Sequence, residues 1–137
     1  MIIWIASYPK SGNTWVRAII SSFLNSNSNE IDINNLKIRQ FPLAQDFKEL
    51  ISDFKSEEQF VKNCINAQEK INLDNQIKFF KTHSAYWKYD NYAFTNEINS
   101  LGVIHVVRDP RNVITSVMNH FNQTANSYEK AMRFITD

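Results

Sequence analysis

Cys64 is the only cysteine in this chain, which excludes an internal disulfide and a cysteine-based zinc site and fits a reducing compartment. No stretch approaches the roughly 18 apolar residues that cross a bilayer. The first hydrophobic run stops at Tyr8-Pro9-Lys10 with no basic segment ahead of it, so it is not built as a secretory leader. Neither sign of charge is in excess: 15 basic and 14 acidic residues leave a formal net charge of +1. The chain as a whole therefore offers no attraction to a nucleic acid, and any selectivity for anions has to be local. Internal repeats, low-complexity tracts and domain linkers are missing too. A cytoplasmic protein with no membrane span and no nucleic-acid partner is the expectation.

What is present is apolar and aromatic. Hydrophobic residues make up 43% of the 137 and aromatic residues 13%, enough for one domain with a sizeable core and too many for a disordered chain. Residues 2–6 (IIWIA) are continuously apolar and rich in β-formers, the pattern of a central parallel strand covered on both faces. A turn, SYPKSGN, leads into a helical pattern beginning at Thr14. There Trp15, Val16, Ile19, Ile20, Phe23 and Leu24 recur at helical spacing, with Arg17, Ser21 and Ser22 between them. An Asn/Ser cluster at 25–29 ends it. Asp46 is placed to cap a helix running to about Phe54, with Phe47, Leu50, Ile51 and Phe54 on one face. A second helix is expected over 57–71, carrying Phe60, Val61, Cys64, Ile65 and Gln68; together the two supply the crossover that parallel strands require.

Residues 76–82 (QIKFFKT) read as a strand, followed by His83 and a loop with Tyr86, Trp87, Tyr89, Tyr92 and Phe94. Residues 101–107 (LGVIHVV) read as another buried strand, ending at Arg108-Asp109-Pro110. Asp109 as N-cap and Pro110 at the first helical position start a helix that buries Val113, Ile114, Val117, Met118 and Phe121. A last helix is expected over 128–135. Three parallel-type strands with interleaved helices make an α/β fold, a parallel sheet flanked by helices. Handed crossovers put the ends of its strands at one edge, where ligands bind in such folds.

Lys10, Lys81, His83 and Arg108 all fall at or just past predicted strand ends. The first loop offers Gly12 for close backbone approach, the amides of Gly12 to Thr14 as donors, a helix N-terminus, and Lys10 as a mobile positive charge. That arrangement suits a phosphate or sulfate. It is not the GxxxxGK[ST] of a nucleotide triphosphatase, because Lys10 precedes Gly12. Beyond Asp109, better used as a cap, no acidic strand end is placed for magnesium. A metal-free anion cradle is the reading, with no metal ligands expected.

These motifs carry a resemblance. YPKSGNTW at 8–15 resembles the 5′-phosphosulfate-binding loop of the sulfotransferases that use 3′-phosphoadenosine 5′-phosphosulfate (PAPS). FKTH at 80–83 resembles their Lys-Thr-His segment, and VVRDPRNVITSVMNHF at 106–121 their 3′-phosphate-binding strand and helix. The three occur in the family's order. The resemblance implies a P-loop nucleotide-fold-like sheet and transfer of a sulfuryl group from PAPS to a hydroxyl or amine of a small-molecule acceptor. It implies that Lys10 contacts the phosphosulfate and supports the leaving phosphate, that Ser11, Gly12, Asn13 and Thr14 hold the 5′-phosphate, and that Trp15 packs against adenine. Lys81 would assist at the sulfonate, His83 would take the acceptor's proton, and Arg108 with Ser116 would hold the 3′-phosphate. Asn13 stands where family members often have threonine, a change that keeps hydrogen-bonding capacity.

Each of these residues also has a plainer reading. Lys10 alone would be a solvated turn charge, His83 a surface or packing residue, and Arg108 an ion pair with Asp109. Ser116 could bond its own helix backbone, Trp15 could be core, and the aromatics from Tyr86 to Phe94 could be core instead of lining an acceptor pocket. His105 and His120 are read as structural. Sulfotransferases of this type are longer, and no Arg-Lys-Gly segment follows. Residues 1–137 are therefore expected to be the N-terminal part of a single sulfotransferase-like domain, incomplete at the C-terminus, with an uncovered sheet edge that favours self-association. A non-catalytic nucleotide- or anion-binding fragment is the first alternative; a metal-dependent P-loop kinase and a structural or interaction protein are the others.

Overall fold

A computed structural model describes residues 1–24, 33–34, 36–84 and 88–120. The element order is β1 (Ile2–Ser7), α1 (Asn13–Leu24), a single 3₁₀ turn (Ala44–Phe47), α2 (Glu57–Asn72), β2 (Lys78–Thr82), β3 (Lys88–Tyr89), β4 (Tyr92–Ala93), β5 (Ser100–Val106) and α3 (Pro110–His120). Strands β2, β1 and β5 form a three-stranded parallel sheet in that order, with β1 in the middle. The β-branched run at the N-terminus accounts for the central place of β1, since a strand paired on both sides has its backbone satisfied and its side chains covered. Ile2 and Ile5 are fully buried.

Register decides where the site can form. Ala6 pairs with Thr82 and Ser7 with Val106, so the three strands end level with one another. The turn after β1, His83 after β2 and Arg108 after β5 consequently leave the sheet at the same edge. On its other side β2 is extended by the short segment around Gln40: Phe41 N–H donates to the Lys81 carbonyl and Lys81 N–H to the Arg39 carbonyl, both at 2.9 Å.

The main core lies on one face of the sheet. Trp4, Phe41, Phe47, Phe80, Cys64 and Ala67 are buried together, with Phe60 and Phe94 packed against them. Trp4 sits 5.2 Å from the Phe94 ring and 5.6 Å from Phe41, in tilted contacts of the kind aromatic quadrupoles favour. Its indole N–H, which burial would leave costly if unpaired, donates to Ser100 Oγ at 2.7 Å. Helix α2 covers this core. Ser56 caps it by accepting from Gln59 N–H, Glu57 and Glu58 occupy its first turn and Lys70 its last, in agreement with the helix dipole. Gln68 is buried and pinned: Nε2 donates to the Phe94 carbonyl at 2.6 Å, and Oε1 accepts from Thr95 Oγ1 at 2.5 Å.

Several expectations need correction. The helix expected from Asp46 to about Phe54 is only the turn Ala44–Phe47. The Asp46 carboxylate is committed to both Arg39 guanidinium nitrogens (2.9 and 2.6 Å) and to Leu43 N–H (3.0 Å), so it holds the preceding segment instead of opening a helix. In α1 the expected apolar face is not the buried one: Asn13 and Ala18 are buried, while Trp15 is 62% and Phe23 82% exposed. Strand β5 was expected to be covered on both faces, yet Leu101, Val103 and Ile104 are exposed. Among the described residues it pairs only with β1, which makes it an edge strand. The aromatic loop contains a two-stranded antiparallel hairpin, β3–β4, and Phe94 belongs to the core. Tyr86, Trp87, the breaker cluster at 25–29, Phe121 and the helix expected over 128–135 lie outside the described residues. No helix among the described residues is long and apolar enough to cross a membrane.

Candidate functional site

The turn between β1 and α1 is strained, and its sequence explains how. Lys10 adopts φ 65° and Gly12 φ 104°, both in the left-handed region. A Cβ added to Gly12 would meet no atom within 4 Å; the backbone angle, not space, is what calls for glycine there. The Gly12 carbonyl accepts from Trp15 N–H at 3.0 Å and Val16 N–H at 3.3 Å, which begins α1. The first N–H groups of the helix then have no intrahelical acceptor and carry the positive end of its dipole. Ser11 is buried within the turn, its N–H donating to the Tyr8 carbonyl at 3.3 Å.

Two cationic side chains approach this helix end from the neighbouring strands. Lys81, on β2, donates from Nζ to Gln40 Oε1 at 3.0 Å. Burial, and then the Arg17 charge, lower its ammonium below the ordinary lysine range. Arg108, beyond β5, donates from Nη1 to the Lys10 carbonyl at 3.2 Å. It does not pair with Asp109. That carboxylate is taken by Arg111, whose guanidinium reaches it at 2.6 Å and whose backbone N–H donates to Oδ1 at 2.9 Å in the expected capping role.

His83 has one edge exposed and the other packed on the end of β1. Its Nδ1 lies 2.6 Å from the Ser7 carbonyl oxygen. A carbonyl can only accept, so Nδ1 carries the proton, and in the neutral ring Nε2 holds the lone pair. Partial burial pushes the imidazole below its ordinary pKa, with the Lys81 and Arg17 charges adding to the effect and the Ser7 hydrogen bond opposing it.

These groups share one cavity of about 450 Å³, lined by Lys10, Gly12, Asn13, Thr14, Trp15, Lys81, His83, Arg108 and Ser116 together with Pro9, Val117 and His120. Of the ten residues singled out from the sequence, Ser11 alone is absent from the wall. His120, read from the sequence as structural, is present in it. It stands four residues after Ser116 on α3, so the helical period that places Ser116 could have found it. Among the described residues no carboxylate lines the cavity. A concave site with three cationic side chains, a helix N-terminus and no acid among the described residues suits an anion. Among the described residues no group of three His, Cys, Asp or Glu is gathered to hold a metal ion.

The arrangement is a strand–turn–helix at the edge of a parallel sheet with cationic side chains and a histidine around one cavity. The family model described as "Sulfotransferase domain" matches residues 2–136, and the chain belongs to that family. No curated protein and no solved structure matches the chain.

Proposed function

We propose that this site transfers a sulfuryl group from PAPS to a hydroxyl or amine of a small-molecule acceptor, and that residues 1–137 form the N-terminal part of one P-loop-like nucleotide-fold domain. The observation that carries the reading is the convergence of Lys10, Lys81, Arg108 and His83 on a single cavity that no carboxylate among the described residues lines. The donor set fits a nucleotide with two anionic groups. The amides at the start of α1 and Lys10 suit the 5′-phosphosulfate. Arg108, whose planar fork has donors left after its bond to Lys10, and the Ser116 hydroxyl suit the 3′-phosphate. Trp15 offers an exposed ring for the base.

PAPS, when bound, supplies the sulfuryl group on an activated phosphate–sulfate linkage. The protein's share is positioning and charge. Lys10 meets the negative charge that develops on the departing phosphate oxygen. Lys81, its ammonium less firmly protonated because it is partly buried, lies on the neighbouring strand and faces the same region. His83 accepts the acceptor's proton at Nε2, which is free because Nδ1 is held by Ser7. No covalent bond to the protein is needed.

Calorimetric titration with 3′-phosphoadenosine 5′-phosphate, on the wild-type chain and on Lys10→Ala and Arg108→Ala, tests the binding half. Loss of binding in both variants supports the assignment; a folded wild-type chain that binds no nucleotide overturns it. Sulfuryl transfer to a panel of phenols, alcohols and amines tests the chemical half, and nucleotide binding with no transfer to any of them would mark a binding module instead.

A further inference from the structure

Asn13 is turned away from the role that resemblance gives its side chain. The residue is 5% exposed, and its Nδ2 donates to the Ile5 carbonyl at 2.9 Å and to Ser7 Oγ at 3.1 Å. Because the Ile5 carbonyl can only accept, the amide's NH₂ end must face it, and the group cannot be turned round. Both donors are therefore spent on β1. The other end, Oδ1, is buried with no partner. An orphaned acceptor is costly, and a threonine or an apolar residue would not leave this one. A residue kept in a locally unfavourable state calls for a compensating task.

The task is visible in what Ser7 does next. Its Oγ accepts from Asn13 and lies 3.4 Å from His83 Nδ1, while its carbonyl accepts a hydrogen bond from Nδ1–H at 2.6 Å. A continuous run of hydrogen bonds thus leads from the first residue of α1, through the last residue of β1, to the imidazole. It also closes the base of the turn that holds Lys10 at φ 65°, where an unfavourable backbone angle would otherwise relax. The charged and titrating groups around the ring are Lys81 from β2, Arg17 from α1, and Lys10, Arg108 and His120 on the cavity wall. Nδ1 lies 2.6 Å from the Ser7 carbonyl and 3.4 Å from the Ser7 hydroxyl; the carbonyl is the nearer and can only accept, so it selects the tautomer.

We propose that Asn13 is a positioning residue: its amide clamps the end of β1 to the start of α1, and so holds the Ser7 carbonyl against His83 with Nε2 left unprotonated. This rests on the reading of His83 as proton acceptor. It departs from that reading at Asn13, whose side chain acts through Ser7 and not on the 5′-phosphate.

The test is nitrogen-15 NMR of the His83 ring in the wild-type chain, Asn13→Ala, Ser7→Ala and Ser7→Thr, with nucleotide affinity measured beside it. The Nδ1–H tautomer dominates in the wild type and in Ser7→Thr, which keeps an Oγ acceptor. It gives way to a mixture in Asn13→Ala and, to a smaller extent, in Ser7→Ala. Affinity for 3′-phosphoadenosine 5′-phosphate falls by less than about threefold in Asn13→Ala. A His83 tautomer unchanged in Asn13→Ala overturns the proposal. So does a tenfold or greater loss of affinity with the ring unmoved, which would make the side chain a phosphate ligand. Should Asn13→Ala fail to fold, the contrast between Ser7→Ala and Ser7→Thr decides: equal tautomer populations overturn the clamp. A wild-type chain that binds no nucleotide would count against the sulfotransferase reading alone, because the ring signals are read without ligand.

Discussion

Arg108 donates a hydrogen bond from Nη1 to the backbone carbonyl of Lys10, 98 residues away in the chain, at 3.2 Å. This bond joins the two motifs that the sequence keeps furthest apart. It reaches the one residue of the turn, other than glycine, that stands in a left-handed conformation. Arg108 therefore acts on the site twice, as a cation on the cavity wall and as a brace for the backbone beneath the Lys10 side chain.

Removing that brace should cost more than a surface charge would. Arg108→Ala is expected to weaken binding of 3′-phosphoadenosine 5′-phosphate by about 10–100-fold, the range of a lost hydrogen bond to a charged group. Arg108→Lys should recover only part of it, since an ammonium lacks the planar fork. Calorimetry on the three proteins checks both statements.

Gly12→Ala isolates the backbone angle. The added methyl meets nothing within 4 Å, yet φ is 104°. The expected loss is about 1–2 kcal/mol of stability, with a fall in Tm of roughly 3–8 °C. Thermal unfolding read by circular dichroism gives the answer; an unchanged Tm would contradict the turn geometry.

Trp15 separates binding from folding. A side chain 62% exposed contributes little to the core, so Trp15→Ala should change stability by no more than about 0.5 kcal/mol. If the ring receives adenine, nucleotide affinity falls by about 5–100-fold, the usual value of one aromatic–base stack. A large stability loss would restore the core reading of this residue.

His83 should titrate below its ordinary pKa, first because the ring is partly buried and then because Lys81 and Arg17 repel a second positive charge. The sign follows directly: a lowered pKa keeps the ring neutral further into the acid range, so the proton-accepting form is dominant at neutral pH. Lys81→Met removes one repelling charge and should raise the His83 pKa. Proton NMR of the ring through a pH series measures the shift, and any transfer activity should lose its acid limb at the correspondingly higher pH.

Cys64 should be inert. Burial pushes its thiol up to about 11, and the side chain lies in the core with Trp4 and Phe80. Since the thiolate is the reactive form, an aromatic disulfide reagent at neutral pH should label it only as fast as the chain unfolds. Rapid labelling of the native protein would show that α2 opens locally.

The parts of the fold legible in the sequence are those governed by local rules. Residues 2–6, with their unbroken apolar run, are the middle strand, and the start signal Asp109-Pro110 begins α3 as read. Helix α2 matches its expected span closely because a serine cap, an acidic first turn and a buried face at helical spacing all agree. Asp46 misled because an aspartate before an apolar run looks like a helix cap, whereas its partner Arg39 lies upstream and the pair closes a turn. Leu101, Val103 and Ile104 misled because apolar composition reports what a strand could bury and is silent on whether a neighbour is there to cover it.

The same division runs through the site. Residues adjacent in the chain specify the chemical inventory: a lysine–glycine turn ahead of a helix, a Lys-Thr-His segment at a strand end, and an arginine before a capped helix. How they meet depends on strand pairing. Parallel register ends three strands level, and that sets Lys10, His83 and Arg108 around one cavity. It likewise decided that Asn13 spends its amide on Ile5 and Ser7, that Ser7 selects the His83 tautomer, and that Arg108 bonds Lys10 instead of Asp109. A hydrogen-bonding side chain can satisfy itself with any acceptor within about 3 Å, and which acceptor that is depends on strand pairing across 76 to 98 residues of chain.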